Sequence, residues 1–157
     1  MQRIANNYYA IAIDDIYFIQ DILFQPRYNQ AVTQIQQAAE KLLKSVAELV
    51  VVEQVEETLK THNLSKIYRD INDSLPEELQ LKLNNRDLNN LRNFYFDAKY
   101  PGENFITADI EDANEALDTM YDVLEEVNVF REKRDLPVST FERRHFEPPL
   151  HRGRMQQ

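Results

Sequence analysis

The chain has 157 residues, the length of one domain, and at that size roughly two thirds of the unfolded surface can be buried. It has no cysteine, which excludes a disulfide framework, a thiolate nucleophile and a cysteine-based zinc site, and its two glycines could hardly form a phosphate-cradling loop. The net charge of -9 is uneven: residues 138–157 carry four arginines against two glutamates, a net of +2, which leaves -11 on residues 1–137 and argues against non-specific binding along a nucleic-acid backbone.

With only two glycines and six prolines, long stretches lack a breaker, and helices are favoured over a many-turned β fold. The first stretch, residues 3–23, reads as a helix with Ile4, Tyr8, Ile11, Phe18 and Ile22 at helical spacing. Asp15 interrupts that series. Either the stripe turns locally to Ile16, the reading favoured here, or Asp15 is semi-buried and paired with Lys41 or Lys44.

Gln25 to Val51 reads as one long amphipathic helix, with Pro26 suited to its first turn. Tyr28, Val32, Ile35, Ala39, Leu42, Val46 and Leu49 alternate steps of four and three and share a face. Ala31, Ala38, Leu43, Ala47 and Val50 widen it, so helices must flank this one on several sides, closely where alanines allow. Every other element is expected to pack here.

Glu53 to Lys60 is charged and is expected to continue or fray the long helix. Thr61 or Asn63 can cap a short helix carrying Leu64, Ile67, Tyr68 and Ile71. Residues 74–83 are expected to form another short connecting helix that buries Leu79 and Leu83. Asn85 to Tyr100 repeats Leu88, Leu91 and Tyr95 and stops at Tyr100-Pro101-Gly102. Thr107 is expected to cap the last long helix, whose core face is Ile110, Ala113, Leu117, Met120, Leu124 and Val127. Asp109, Glu111 and Asp112 suit its positive end, and Arg131, Lys133 and Arg134 its negative end.

From Asp135 the periodicity is lost, and an extended tail is predicted, ordered where Phe141, Phe146 or Leu150 finds a surface. The predicted architecture is an all-α, up-and-down bundle of four to five helices over residues 1–134, followed by an extended or disordered tail over 135–157. No signal peptide is visible and no apolar run approaches the ~20 residues needed to span a bilayer, so a soluble, cytoplasmic protein is expected.

Three motifs, in order, point to a family. Ile35 to Lys44, IQQAAEKLLK, is similar to a Gln-Ala-x-Glu-Lys-x-x-Lys helix; Thr61-His62-Asn63-Leu64 is similar to a Thr-His-Asp-Leu signature; and Asp97 to Gly102, DAKYPG, is similar to an Arg-Tyr-Pro stop. With these the chain resembles the HEPN domains (higher eukaryotes and prokaryotes nucleotide-binding) over about residues 8–130. The resemblance implies a helical bundle, commonly a homodimer, often partnered with a minimal nucleotidyltransferase, and a function in a nucleotide or RNA context. Many members are ribonucleases, including toxins, in which an Arg-x4-6-His motif brings histidine and arginine to a composite dimer site for acid–base chemistry and phosphate stabilisation.

The chain departs from that ribonuclease pattern. His62 has no arginine at the required spacing before it, and Arg144 to His151 satisfies the spacing only across Pro148 and Pro149, which prevent a helix there. His62 lies at a helix start, where backbone donors could hold an anion; the competing role is to cap or pack the corner. Lys41 and Lys44 could meet a nucleotide phosphate or could pair with carboxylates such as Glu40, Asp14 or Asp15. Lys99 stands where the resemblance leads one to expect arginine. The only Glu-x-x-His, Glu142 to His145, falls in the tail, so neither metal nor cofactor is expected. The leading expectation is a non-catalytic HEPN-type protein that binds nucleotide or a nucleotidyltransferase partner through Lys41, Lys44, His62 and Lys99. The alternatives are a divergent, metal-independent ribonuclease using His62 or His151, and an interaction module that binds through its tail.

Overall fold

A computed structural model of the chain describes residues 7–97 and 107–148. The described residues form six α-helices and one 3-10 turn: α1 (Tyr8–Asp21), α2 (Tyr28–Val50), α3 (Val55–Lys60), α4 (Leu64–Asp73), the turn Glu77–Leu79, α5 (Asn85–Asp97) and α6 (Ile110–Lys133). Among these residues there is no strand.

Helix α2 is the axis of the bundle and packs on α1, α3, α4, α5 and α6. Its double apolar face explains this, because Ala31, Val32, Ile35, Ala38, Ala39, Leu42, Leu43, Val46 and Ala47 are all fully buried. A helix so widely apolar can satisfy its surface only between neighbours on several sides. Helix α6 buries Ala113, Leu117, Met120, Leu124 and Val127 as its periodicity predicts.

Several boundaries shift, each for a local reason. Arg27 takes the N-cap position of α2 without a side-chain capping bond, so Pro26 precedes the helix instead of opening it. The helix does not continue through Glu53: Val51 turns extended, Gln54 takes φ 60°, and α3 starts separately. Asp109, not Thr107, caps α6, because Asp109 and Asp112 exchange side-chain and backbone hydrogen bonds in a capping box. Residues 74–83 make only the 3-10 turn; Leu75 and Leu81 are buried there, whereas Leu79 is exposed. The expected stop at Tyr100-Pro101-Gly102 lies outside the described residues.

The apolar stripe of α1 also turns. Ala12, Ile13, Ile16, Ile19 and Leu23 enter the core, while Ile11 and Phe18 face outward, with Phe18 52% exposed. Asp15 is paired as well as displaced from the core, since its carboxylate meets Lys41 Nζ at 2.7 Å. Beyond α6 the chain is extended to Pro148 and runs back along the bundle, with Phe146 buried and Phe141 half-buried. Leu150 lies outside the described residues.

Candidate functional site

The long helix carries one polar ladder inside its apolar face: Gln36, Glu40 and Lys44, four residues apart. All three are buried where α2 meets the corner between α3 and α4. That corner is fixed by its own short-range bonds. Asn63 Oδ1 accepts the Lys66 N–H and caps α4, and Thr61 Oγ1 accepts the Asn63 N–H. The two bonds set the backbone on either side of His62.

Glu40 is the centre of the group. One carboxylate oxygen accepts from Lys44 Nζ at 3.0 Å; the other meets His62 Nδ1 at 2.9 Å and accepts from Gln36 Nε2 at 3.3 Å. Two buried charges of opposite sign, Glu40 and Lys44, compensate each other, which a site this dry requires. An ionised carboxylate can only accept, so Nδ1 carries the proton that faces Glu40. The His62 side chain is held by this bond at the surface, 45% exposed, and its carbonyl receives a longer bond from Gln36 Nε2. Gln36 Oε1, also buried, has no hydrogen-bond partner among the described residues.

A carboxylate-oriented, half-exposed imidazole can bind an anion when protonated or exchange a proton with a ligand. Two features limit it as a nuclease centre. Glu40 is shared with Lys44, and the positions where the ribonuclease spacing would place arginine are occupied by Val55, Glu56 and Glu57. Carboxylates there oppose an approaching phosphate.

The two candidate lysines of α2 go to different neighbours. Lys44 turns inward to Glu40, and Lys41 turns to Asp15 of α1. They therefore do not converge with His62 on one open cationic patch. Lys99 and His151 lie outside the described residues. Sequence reasoning named Glu40 only as a possible lysine partner and passed over Gln36; the signal available was a polar i, i+4, i+8 series in an otherwise apolar helix face.

A separate cleft of about 540 Å³ opens between α5 and α6. Asp87, Glu115, Asp118 and Asp122 line it against Arg86, a balance unfavourable to a phosphate. No group of histidines and carboxylates suited to a metal ion occurs among the described residues. Nor is any helix there long and apolar enough to cross a membrane.

The family model for the HEPN domain matches residues 5–132, most of the chain and all of the Gln36–Glu40–Lys44–His62 group. The chain belongs to the HEPN domain family. Comparison with curated proteins and with solved structures finds no match. HEPN membership gives a function in a nucleotide or RNA context. Within this HEPN domain, the first two motifs meet in space: the α2 motif supplies Gln36, Glu40 and Lys44, and the Thr61–Leu64 motif supplies His62.

Proposed function

We propose that this HEPN domain is a binding protein, not a nuclease, and that it engages nucleotide or a nucleotidyltransferase partner as a homodimer. The observation that carries this reading is the sharing of Glu40 between Lys44 and His62. The lysine is consumed internally, and the turn before the histidine is acidic, so the group is better suited to hold a rigid recognition corner than to stabilise a reacting phosphate. His62, the exposed member, is the residue proposed to touch a ligand, with Lys99 as a second contact. Ile11 and Phe18, seven residues apart on the outer side of α1 and exposed, supply apolar surface for the second copy.

One observation favours the ribonuclease reading instead. The Glu40–His62 bond orients the imidazole as a catalytic carboxylate would.

Incubation with structured RNA in EDTA separates the two, run beside a titration with labelled nucleotide. The binding reading expects intact RNA and a several-fold weaker nucleotide affinity in His62→Ala. Cleavage that disappears in His62→Ala would make the protein a divergent ribonuclease.

A further inference from the structure

The segment after α6 lacks regular structure, yet side chains of α1 and α6 bond its backbone at five residues between Pro137 and Phe146. Arg131 Nε donates to the Pro137 carbonyl at 2.9 Å. Asn128 Nδ2 donates to the Ser139 carbonyl, and the Tyr9 hydroxyl accepts the Ser139 N–H. Gln20 Nε2 donates to the Glu142 carbonyl, the Tyr121 hydroxyl accepts the Arg144 N–H, and Asn114 Oδ1 accepts the Phe146 N–H at 2.8 Å. Two aromatic anchors five residues apart complete the fit: Phe141 lies edge-on to Tyr17, and Phe146 is buried edge-on to Tyr28. Between them Arg143 pairs with Asp122 and Glu125, and His145 with Asp118.

These are the features of a bound extended peptide, not of a core strand. Most of the segment's side chains stay exposed, and only Phe146 is buried. The specificity comes from backbone hydrogen bonds, one deep pocket and an acidic wall, which is how grooves recognise extended ligands. The segment is joined to α6 by a tight turn in which Asp135 has φ 55°, a left-handed conformation that a β-carbon disfavours.

We propose that the groove between α1 and α6 is a peptide-recognition site and that residues 136–148 are its built-in, displaceable ligand. The acidic wall of Asp118, Asp122 and Glu125 commits the external occupant to an extended partner segment with basic side chains bracketed by two aromatic residues, the chemistry of LPVSTFERRHFEP itself. The site is independent of His62 and of the nucleotide reading.

A fluorescent peptide with residues 136–148 tests this against the full chain and against a full-chain Arg143→Glu, Phe146→Ala variant that weakens the tethered tail. The tether presents its tail at roughly millimolar effective concentration, so the variant is expected to bind the peptide about a hundredfold more tightly than the parent. A control peptide carrying the same two changes is expected not to bind, and salt is expected to weaken the authentic one. A folded variant that takes up no peptide overturns the proposal, and so does one that exchanges tails only with itself as a dimer. Should the variant fold poorly, a protease site inserted after Asp135 and cut after folding supplies the second test. A bundle that stays helical and exchanges the nicked tail for labelled peptide supports the proposal; one that collapses, or that releases the tail without exchange, overturns it.

Discussion

Glu40 is the residue whose loss has the widest consequence. Its side chain and that of Lys44 are 9% and 6% exposed, so truncation to alanine would leave a buried ammonium without its counter-charge. Breaking such a pair from one side costs about 3–5 kcal/mol. Glu40→Ala is expected to lose stability of that order in urea unfolding, whereas a Glu40→Leu, Lys44→Met double variant recovers most of it, because no charge is then left stranded. Lys41→Ala removes a pair that still touches solvent and is expected to cost less than about 1 kcal/mol. Asp70 gives the protein an acid-sensitive point. Burial raises its pKa, but hydrogen bonds from Lys66 and Thr58, with the charges of Lys66 and Arg69, outweigh burial and hold it below the ordinary value of 3.8. The folded state thus gives up this proton more readily than the unfolded chain, so the contribution is present above 3.8 and lost as pH falls below it. Glu48 has the opposite sign: burial raises its pKa against the opposing Arg131, and its contribution favours the fold at low pH and fades as pH rises above 4.5. Denaturation midpoints at pH 3 and 5 are expected to show a smaller acid loss in Asp70→Asn than in the parent. An equal loss in both would remove Asp70 from the account.

Among the elements, the helix ends show where local chemistry is below its optimum. After α6 the Leu136 N–H reaches the Arg131 carbonyl and Asp135 takes the left-handed conformation, the C-terminal arrangement in which glycine is usual. Asp135→Gly is expected to raise stability by about 0.5–1 kcal/mol, read as a shifted urea midpoint with unchanged slope, and Asp135→Val to lower it. Gln54, the other residue of positive φ among the described residues, stands before α3 and is expected to respond to glycine in the same direction. The break between α2 and α3 shapes the candidate site, because it returns the chain across α2 so that the Thr61–Asn63 corner lies over Glu40. An uninterrupted helix would have carried His62 away from it.

At the scale of the whole molecule, the bundle and its tail are held by different kinds of force. Leu42 sits fully buried on α2, which touches every other helix, and Leu42→Ala is expected to cost about 2–5 kcal/mol through lost transfer energy and the cavity left behind. Phe146 is also buried, yet it belongs to a segment attached by one pocket, surface ion pairs and hydrogen bonds. If the tail is displaceable as proposed, its truncation costs no more than undocking the tail. Phe146→Ala is therefore expected to cost less than Leu42→Ala. Hydrogen exchange checks the same point: amides of Ser139, Arg144 and Phe146 are expected to exchange through local opening, ahead of those of α2. Comparable protection in the two regions would mean that they unfold as one unit.

Two long helices, the all-α class and the extended tail were determined by the sequence itself. In α2 and α6 the apolar residues recur at threes and fours over about five turns or more, and no other regular structure buries such a pattern, although Leu49 at the end of the α2 series is left exposed. In α1 the same reasoning listed Ile11 and Phe18 in the stripe and favoured a local turn to Ile16, because a helix with apolar residues on two sides does not state which side meets the core; packing on α2 buried Ile16 and left Ile11 and Phe18 outside, and Asp15 found Lys41 only through that packing. The family motifs were likewise legible, but not their meeting. Glu40, Lys44 and His62 are joined across 22 residues and a reversal of chain direction, and which carboxylate neutralises which cation depends on distance and burial, which exist only once the helices are packed. The same holds for the tail, whose extended segment takes its conformation from the side chains of α1 and α6 and from Tyr28 at the start of α2.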